Sequence, residues 1–171
     1  MLQQLINFLN AINERVGRTT AWLTSLLVVF MCIDVIRRYL FNKTAVWITE
    51  MEWHIFALIF LLAAGYTLKH DKHVRVDLFY AKFSPKQKAW VNLIGTLVFL
   101  IPWCWIIISA SYQYAYNAYA INESSPDPGG LPARYIIKFA ITAGFSLLLL
   151  QAISLVLESL QTIFDKYLMN K

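Results

Sequence analysis

Four apolar blocks, each close to the length needed to cross a bilayer, divide this chain and decide what it can fold into. They read AWLTSLLVVFMCIDVI from Ala21, WHIFALIFLLAAGYTL from Trp53, WVNLIGTLVFLIPWCWIIISASY from Trp90 and YIIKFAITAGFSLLLLQAISLVL from Tyr135. A helix needs roughly 20 mostly apolar residues to cross the hydrocarbon core, where every backbone polar group must be satisfied within the segment. A soluble amphipathic helix would space its apolar residues three or four apart, whereas here they run almost without interruption. With 58% hydrophobic and 15% charged residues, the chain cannot supply the polar exterior of a water-soluble domain. The expected fold is an all-α membrane protein. Its four transmembrane helices, at about 21–40, 53–68, 88–112 and 135–157, belong to a single membrane domain covering 1–171.

The segments between the blocks add detail. Leu2, Leu5, Ile6, Leu9, Ile12 and Val16 recur at helical spacing, with Gln3, Gln4, Asn7, Asn10 and Asn13 opposite. That pattern predicts an N-terminal amphipathic interfacial helix at about 2–17. The loop KHDKHVRVDLFYAKFSPKQK sets Val76, Phe79, Tyr80 and Phe83 against its bases, which predicts a second amphipathic segment. Ser84, Pro85 and Gln87 fit a capping box with proline at the first helical position. Pro102, deep in the third block, removes a backbone donor and is expected to kink that helix. Arg15 and Arg18 precede the first block as they would in a signal peptide. No small-residue cleavage site follows, so the block is expected to be retained.

Four spans put both termini on one side, and charge indicates which. Arg15, Arg18, Lys69, Lys72, Arg75, Lys82, Lys86, Lys88, Lys166 and Lys171 lie on that side, ten against the five of Arg37, Arg38, Lys43, Arg134 and Lys138. Bases favour the cytoplasm, so both termini are expected there, in a bacterial inner membrane. The net charge of +5 is thereby a matter of topology. The bases form no stripe with exposed aromatics, and nucleic acid is not an expected partner.

Catalytic and metal chemistry find no support. His54 alone lies inside a block, and haem ligation from facing helices needs a pair. The histidines of KHDKH stand among positive charges that oppose a bound cation. Cys32 and Cys104 lack partners and read as small core residues. The chain is expected to be no enzyme and to hold no cofactor. The informative charges are Asp34, Arg37, Arg38, Glu50 and Glu52 at the outer ends of the first two spans, with Trp47 beside them. Asp34 and Arg38 stand four apart and can pair on one helix. These charges can form an interfacial ring that pairs across the hairpin, and a relay is disfavoured because no acid lies near a span's midpoint. Alternatively, Arg37, Arg38, Trp47, Glu50 and Glu52 are candidate subunit-interface residues, because arginines on the disfavoured side call for a partner. Ala140 with Gly144, and Ala63, Ala64 and Gly65, form small-residue notches for helix packing. A self-contained homo-oligomeric transporter or channel, and a membrane anchor for a redox enzyme, are the alternatives. The first lacks a polar face at mid-span and the second lacks paired histidines.

Three passages in order resemble one family. They are RRYLFN followed by Trp47–Glu50; AAGYTLKHDKHVRVDLFY, with Gly65, His73, Arg75 and Asp77 in a G…H-x-R-x-D pattern; and ESSPDPGGLPARYIIK before the fourth span. Together they resemble the small membrane subunit of tripartite ATP-independent periplasmic (TRAP) transporters. The resemblance implies a scaffold-like subunit of a sodium-driven importer of carboxylate-bearing organic solutes. Its implied partners are a large multi-span membrane subunit, which would carry the sodium coupling, a periplasmic substrate-binding protein, and membrane lipid.

Overall fold

In a computed structural model, residues 1–70, 80 and 82–164 are described. Among them the chain is helical throughout: α1 Leu2–Phe41, α2 Val46–Lys69, α3 Pro85–Gly95, a π-helical turn Thr96–Leu100, α4 Ile101–Ala120 and α5 Tyr135–Phe164. Four helical stretches, with α3 to α4 taken as one, are long and apolar enough to cross a membrane. The large side chains they turn outward include Trp22, Phe60, Phe99 and Trp105, a surface made for hydrocarbon and not for water.

The helices overrun the apolar blocks. No backbone break separates residues 2–17 from the first span, because α1 is one helix of 40 residues. At about 1.5 Å per residue it is roughly 60 Å long, twice a hydrocarbon core. Its stop comes from Asn42, which adopts the left-handed conformation (φ 49°) while the Lys43 N–H returns to the Arg37 carbonyl, an arrangement asparagine tolerates well. The expected capping box at Ser84 is present in both directions. Ser84 Oγ accepts the Gln87 N–H at 3.3 Å, and Gln87 Oε1 accepts the Ser84 N–H at 2.8 Å. Near Pro102 the ladder shifts register, and the Ile101 N–H bonds to Thr96 five residues back. A π turn of this kind absorbs the missing donor and ring clash of a buried proline.

Helix α5 is the centre of the bundle and packs against α1, α2, α3 and α4, while α1 packs chiefly on α2. Glycines set the closest approaches. A Cβ on Gly144 would lie 2.7 Å from the Leu61 carbonyl oxygen, so α2 and α5 meet backbone to backbone there. A Cβ on Gly65 would meet Asn13 Oδ1 at 2.1 Å and the Leu147 carbonyl at 3.0 Å. Both notches read from the sequence therefore seat another helix. Cys104 is fully buried with Leu68 and Leu148. Cys32, expected in the core as well, is instead exposed on the outward face of α1. The second amphipathic segment proposed for the 69–88 loop lies mostly outside the described residues. Within it, Tyr80 donates to Asn92 Oδ1 at 3.2 Å.

Candidate functional site

Charged side chains collect in two layers, one at each end of the bundle. Between them, residues 19–33 of α1, 53–68 of α2, 89–122 of α3 to α4 and 139–157 of α5 contain no Asp, Glu, Lys or Arg. Ionisable groups are expensive in hydrocarbon, so their restriction to the ends is what lipid immersion demands.

At the far end, away from the N-terminus, the candidate residues divide into two groups. Glu50 is 5% exposed and turned inward. Its carboxylate accepts the Ser125 hydroxyl and the Leu131 backbone N–H, and Arg134 Nη2 lies 3.7 Å from Oε1. Gly130 packs so closely that a Cβ there would fall 2.8 Å from Glu50 Oε2. The loop 121–134 folds over this carboxylate and ties itself through Ser125 N–H to Leu131 O (3.0 Å) and Arg134 N–H to Glu123 O (2.9 Å). Positive φ angles at Asn122, Gly129 and Ala133 shape its turns. Asp34 is buried and pairs with Arg38 one turn on, as its spacing predicts. Glu52 is half-buried, and its Oε1 is sealed from solvent without a hydrogen-bond donor among the described residues.

Of the other candidates Trp47 and Arg38 face outward, and Arg37 is half-buried. Trp47 is exposed, Arg38 keeps about half its side-chain surface free (53%), and the Arg37 side chain makes no hydrogen bond or ion pair among the described residues. Thus the structure brings Asp34 and Arg38 together, commits Glu50 to the loop, leaves Arg38 and Trp47 on the surface and keeps Arg37 half-buried. Above them Tyr112 stacks on Tyr116 (6.4 Å) and Tyr119 meets Tyr135 edge-on (5.2 Å). These pairs form the aromatic edge expected at a membrane boundary.

The N-terminal end holds a polar cluster that sequence reasoning missed. Asn10 Nδ2 donates to Glu158 Oε1 at 2.8 Å, and Asn10 Oδ1 accepts from Gln151 Nε2 and Ser154 Oγ, both at 2.8 Å. Beside it Glu14 accepts from Arg18 (2.8 Å), Lys69 (2.7 Å) and His70 (2.8 Å). The buried stripe of α1 is Ile6, Leu9, Asn13, Gly17 and Thr20, which mixes the two faces that composition had separated. Asn13 is 1% exposed and neither of its amide atoms finds a partner among the described residues. The one sequence signal was Gln151, a solitary amide in an apolar span that needed a polar mate.

Among the described residues no His, Cys, Asp and Glu cluster suits a metal. The arrangement can hold helices and a loop in place.

Comparison with known proteins agrees with this architecture. A family model described as tripartite ATP-independent periplasmic transporters, DctQ component, matches residues 13–162. A TRAP transporter small permease protein of Haemophilus influenzae is 28% identical over 165 residues, covering 96% of this chain and 95% of the relative.

Proposed function

The chain belongs to the DctQ-component family of tripartite ATP-independent periplasmic transporters, and from that premise we propose that it acts as the bracing membrane subunit of a sodium-driven solute importer. The observation that carries this reading is the two-layer distribution of charge. The apolar middle of all four spans has no Asp, Glu, Lys or Arg to couple an ion or follow a solute, and such groups mark transport pathways. The polar residues that are buried instead join this chain's own elements: Asn10 to Glu158 and Glu50 to Leu131. The large partner subunit then carries the sodium and solute sites, and a periplasmic binding protein delivers an organic carboxylate.

The charge asymmetry supports an inner-membrane orientation with both termini cytoplasmic. In that orientation the first 17 residues of α1 extend to the cytoplasmic interface, with Leu2, Leu5 and Phe8 outward. The outward Arg38 and Trp47, with the half-buried Arg37, form the seam for the large subunit, with Glu50 and Glu52 behind them.

Co-purification from the native membrane, followed by reconstitution, tests the reading. The expected outcome is a stable complex with a large membrane subunit, whose sodium-dependent uptake requires this chain. Ion or solute flux through vesicles holding this chain alone would overturn it.

A further inference from the structure

At the far end, between α2, α4 and α5, lies an open cavity of about 520 Å³. Trp53, Phe56, Phe60, Leu61 and Ile141 form its wall. From residue 53 to residue 61 the wall runs about 12 Å along α2 at the helical rise per residue. Phe56 and Phe60 are among the most exposed apolar side chains of that helix, so the trough lies open to hydrocarbon. Its mouth has the opposite character. Arg134, Lys138 and Glu123 line it.

The two cations are held in place by aromatic rings and carboxylates. The Arg134 guanidinium lies 5.7 Å from the Trp53 ring centre and the Lys138 ammonium 4.0 Å from that of Tyr114. Cations over such faces are attracted by the ring quadrupole, more strongly as water is removed. Lys138 also donates to Glu123, with 13% of its side chain exposed. An ammonium has three donors and a guanidinium five. The Glu123 bond and the loose 3.7 Å approach of Arg134 to Glu50 therefore leave donors at the mouth. The charged groups lining it sum to +1, from Arg134 and Lys138 against Glu123.

We infer that this cavity is a specific phospholipid site, with the lipid phosphodiester at Arg134 and Lys138 and one acyl chain in the trough of Phe56, Phe60 and Leu61. Two features favour a lipid over a side chain or helix of another protein. The trough opens into hydrocarbon, and its single cationic end lies at the helix ends, where a headgroup sits. A phosphodiester complements the positive mouth, and an acyl chain needs nothing of the wall except apolar surface. The site depends on membrane immersion alone and not on the proposed role in transport.

The test is native mass spectrometry of the full chain, released from mild detergent, with phosphatidylglycerol and phosphate-free diacylglycerol as competing probes. The expected result is one phospholipid retained after the bulk lipid is stripped, with diacylglycerol failing to displace it. Lys138→Met should weaken retention by about tenfold or more, as loss of one charge-assisted contact implies. Ala57→Trp, which fills the trough and leaves both cations in place, should weaken it as well. Three results would overturn the inference: no retained lipid on the unaltered chain, equal retention of diacylglycerol, or retention unchanged in both variants. Should Lys138→Met fail to fold, the competition on the unaltered chain still decides. An Ala57→Cys chain that cross-links efficiently to a large partner subunit would assign the trough to protein and also overturn it.

Discussion

Glu50 Oε2 accepts the backbone N–H of Leu131, 81 residues further along the chain. One carboxylate at the start of α2 thus fixes the loop that leads into α5. With the Ser125 hydroxyl on the other oxygen, it replaces the solvent that a proline- and glycine-rich loop would otherwise need.

Glu50→Ala should therefore release the loop before it harms the bundle. Limited proteolysis at Arg134 is the measurement, and cleavage should be several times faster than in the unaltered chain. Glu50→Gln keeps an acceptor for one donor and should fall between the two. Equal cleavage in all three would mean that the loop holds itself through the Ser125–Leu131 and Arg134–Glu123 backbone bonds alone.

Gly144 and Gly95 make a matched pair. A Cβ at residue 144 meets the Leu61 carbonyl at 2.7 Å, while one at residue 95 meets nothing within 4 Å. Gly144→Val should part α2 from α5, with an overpacking penalty of about 1–3 kcal/mol. Gly95→Ala should be neutral or stabilising by up to about 1 kcal/mol, since alanine is the better helix former. Thermal unfolding in detergent separates them, and thiol labelling of the buried Cys104 should accelerate only in the first.

Removing Asn10 should cost more than its half-buried position suggests. Asn10→Leu strands the Gln151 amide and removes a donor from Glu158, while Ser154 keeps only its longer 3.3 Å bond to Glu158. Hydrogen bonds to charged groups are worth about 1.5–3 kcal/mol, and interhelical ones in membranes about 0.6–1.7. A loss of about 1–3 kcal/mol is expected by denaturant titration. Gln151→Leu alone should cost less, because Ser154 and Glu158 keep Asn10 occupied. An Asn10→Leu chain as stable as the parent would show that the cluster contributes position and not stability.

What the sequence made legible follows from locality. The four apolar blocks need only their own composition to be read as spans, and the Ser84–Gln87 box spans three residues. Asp34 and Arg38 are one turn apart. The element ends were harder, because polar residues such as those at 2–20 and 158–164 continue the helical ladder beyond the apolar stretch. Least legible were pairings between distant segments. Asn10 and Asn13 read as a wet face because nothing nearby announces Gln151, Ser154 or Gly65 opposite them. Glu50 read as a seam charge for the same reason, since Leu131 lies far away in the chain. Likewise Gly144 signals close packing without saying that Leu61 is its neighbour.

The candidate seam can be separated from internal structure by measuring two quantities together. Arg38 and Trp47 face outward and Arg37 is half-buried, whereas Glu50 serves the loop. Truncating one partner of a desolvated charge pair costs about 2–5 kcal/mol, while an exposed pair is worth roughly 0–1. If Arg37 meets a carboxylate of the large subunit, Arg37→Ala should lower recovery of the complex and sodium-driven uptake in proportion. The unfolding temperature of the isolated chain should stay unchanged, since its side chain has no hydrogen-bond or ion-pair partner among the described residues. Arg37→Glu should lower recovery further and be partly restored by a reversed charge on the partner. Glu50→Ala should show the opposite order, with a loosened loop and a less stable chain first and weaker assembly only as a consequence. Full recovery of the complex from Arg37→Glu and Arg38→Glu chains would place the seam elsewhere on the bundle. Normal assembly with uptake abolished would count against the bracing role itself, because a residue that only joins subunits cannot stop transport in an intact complex.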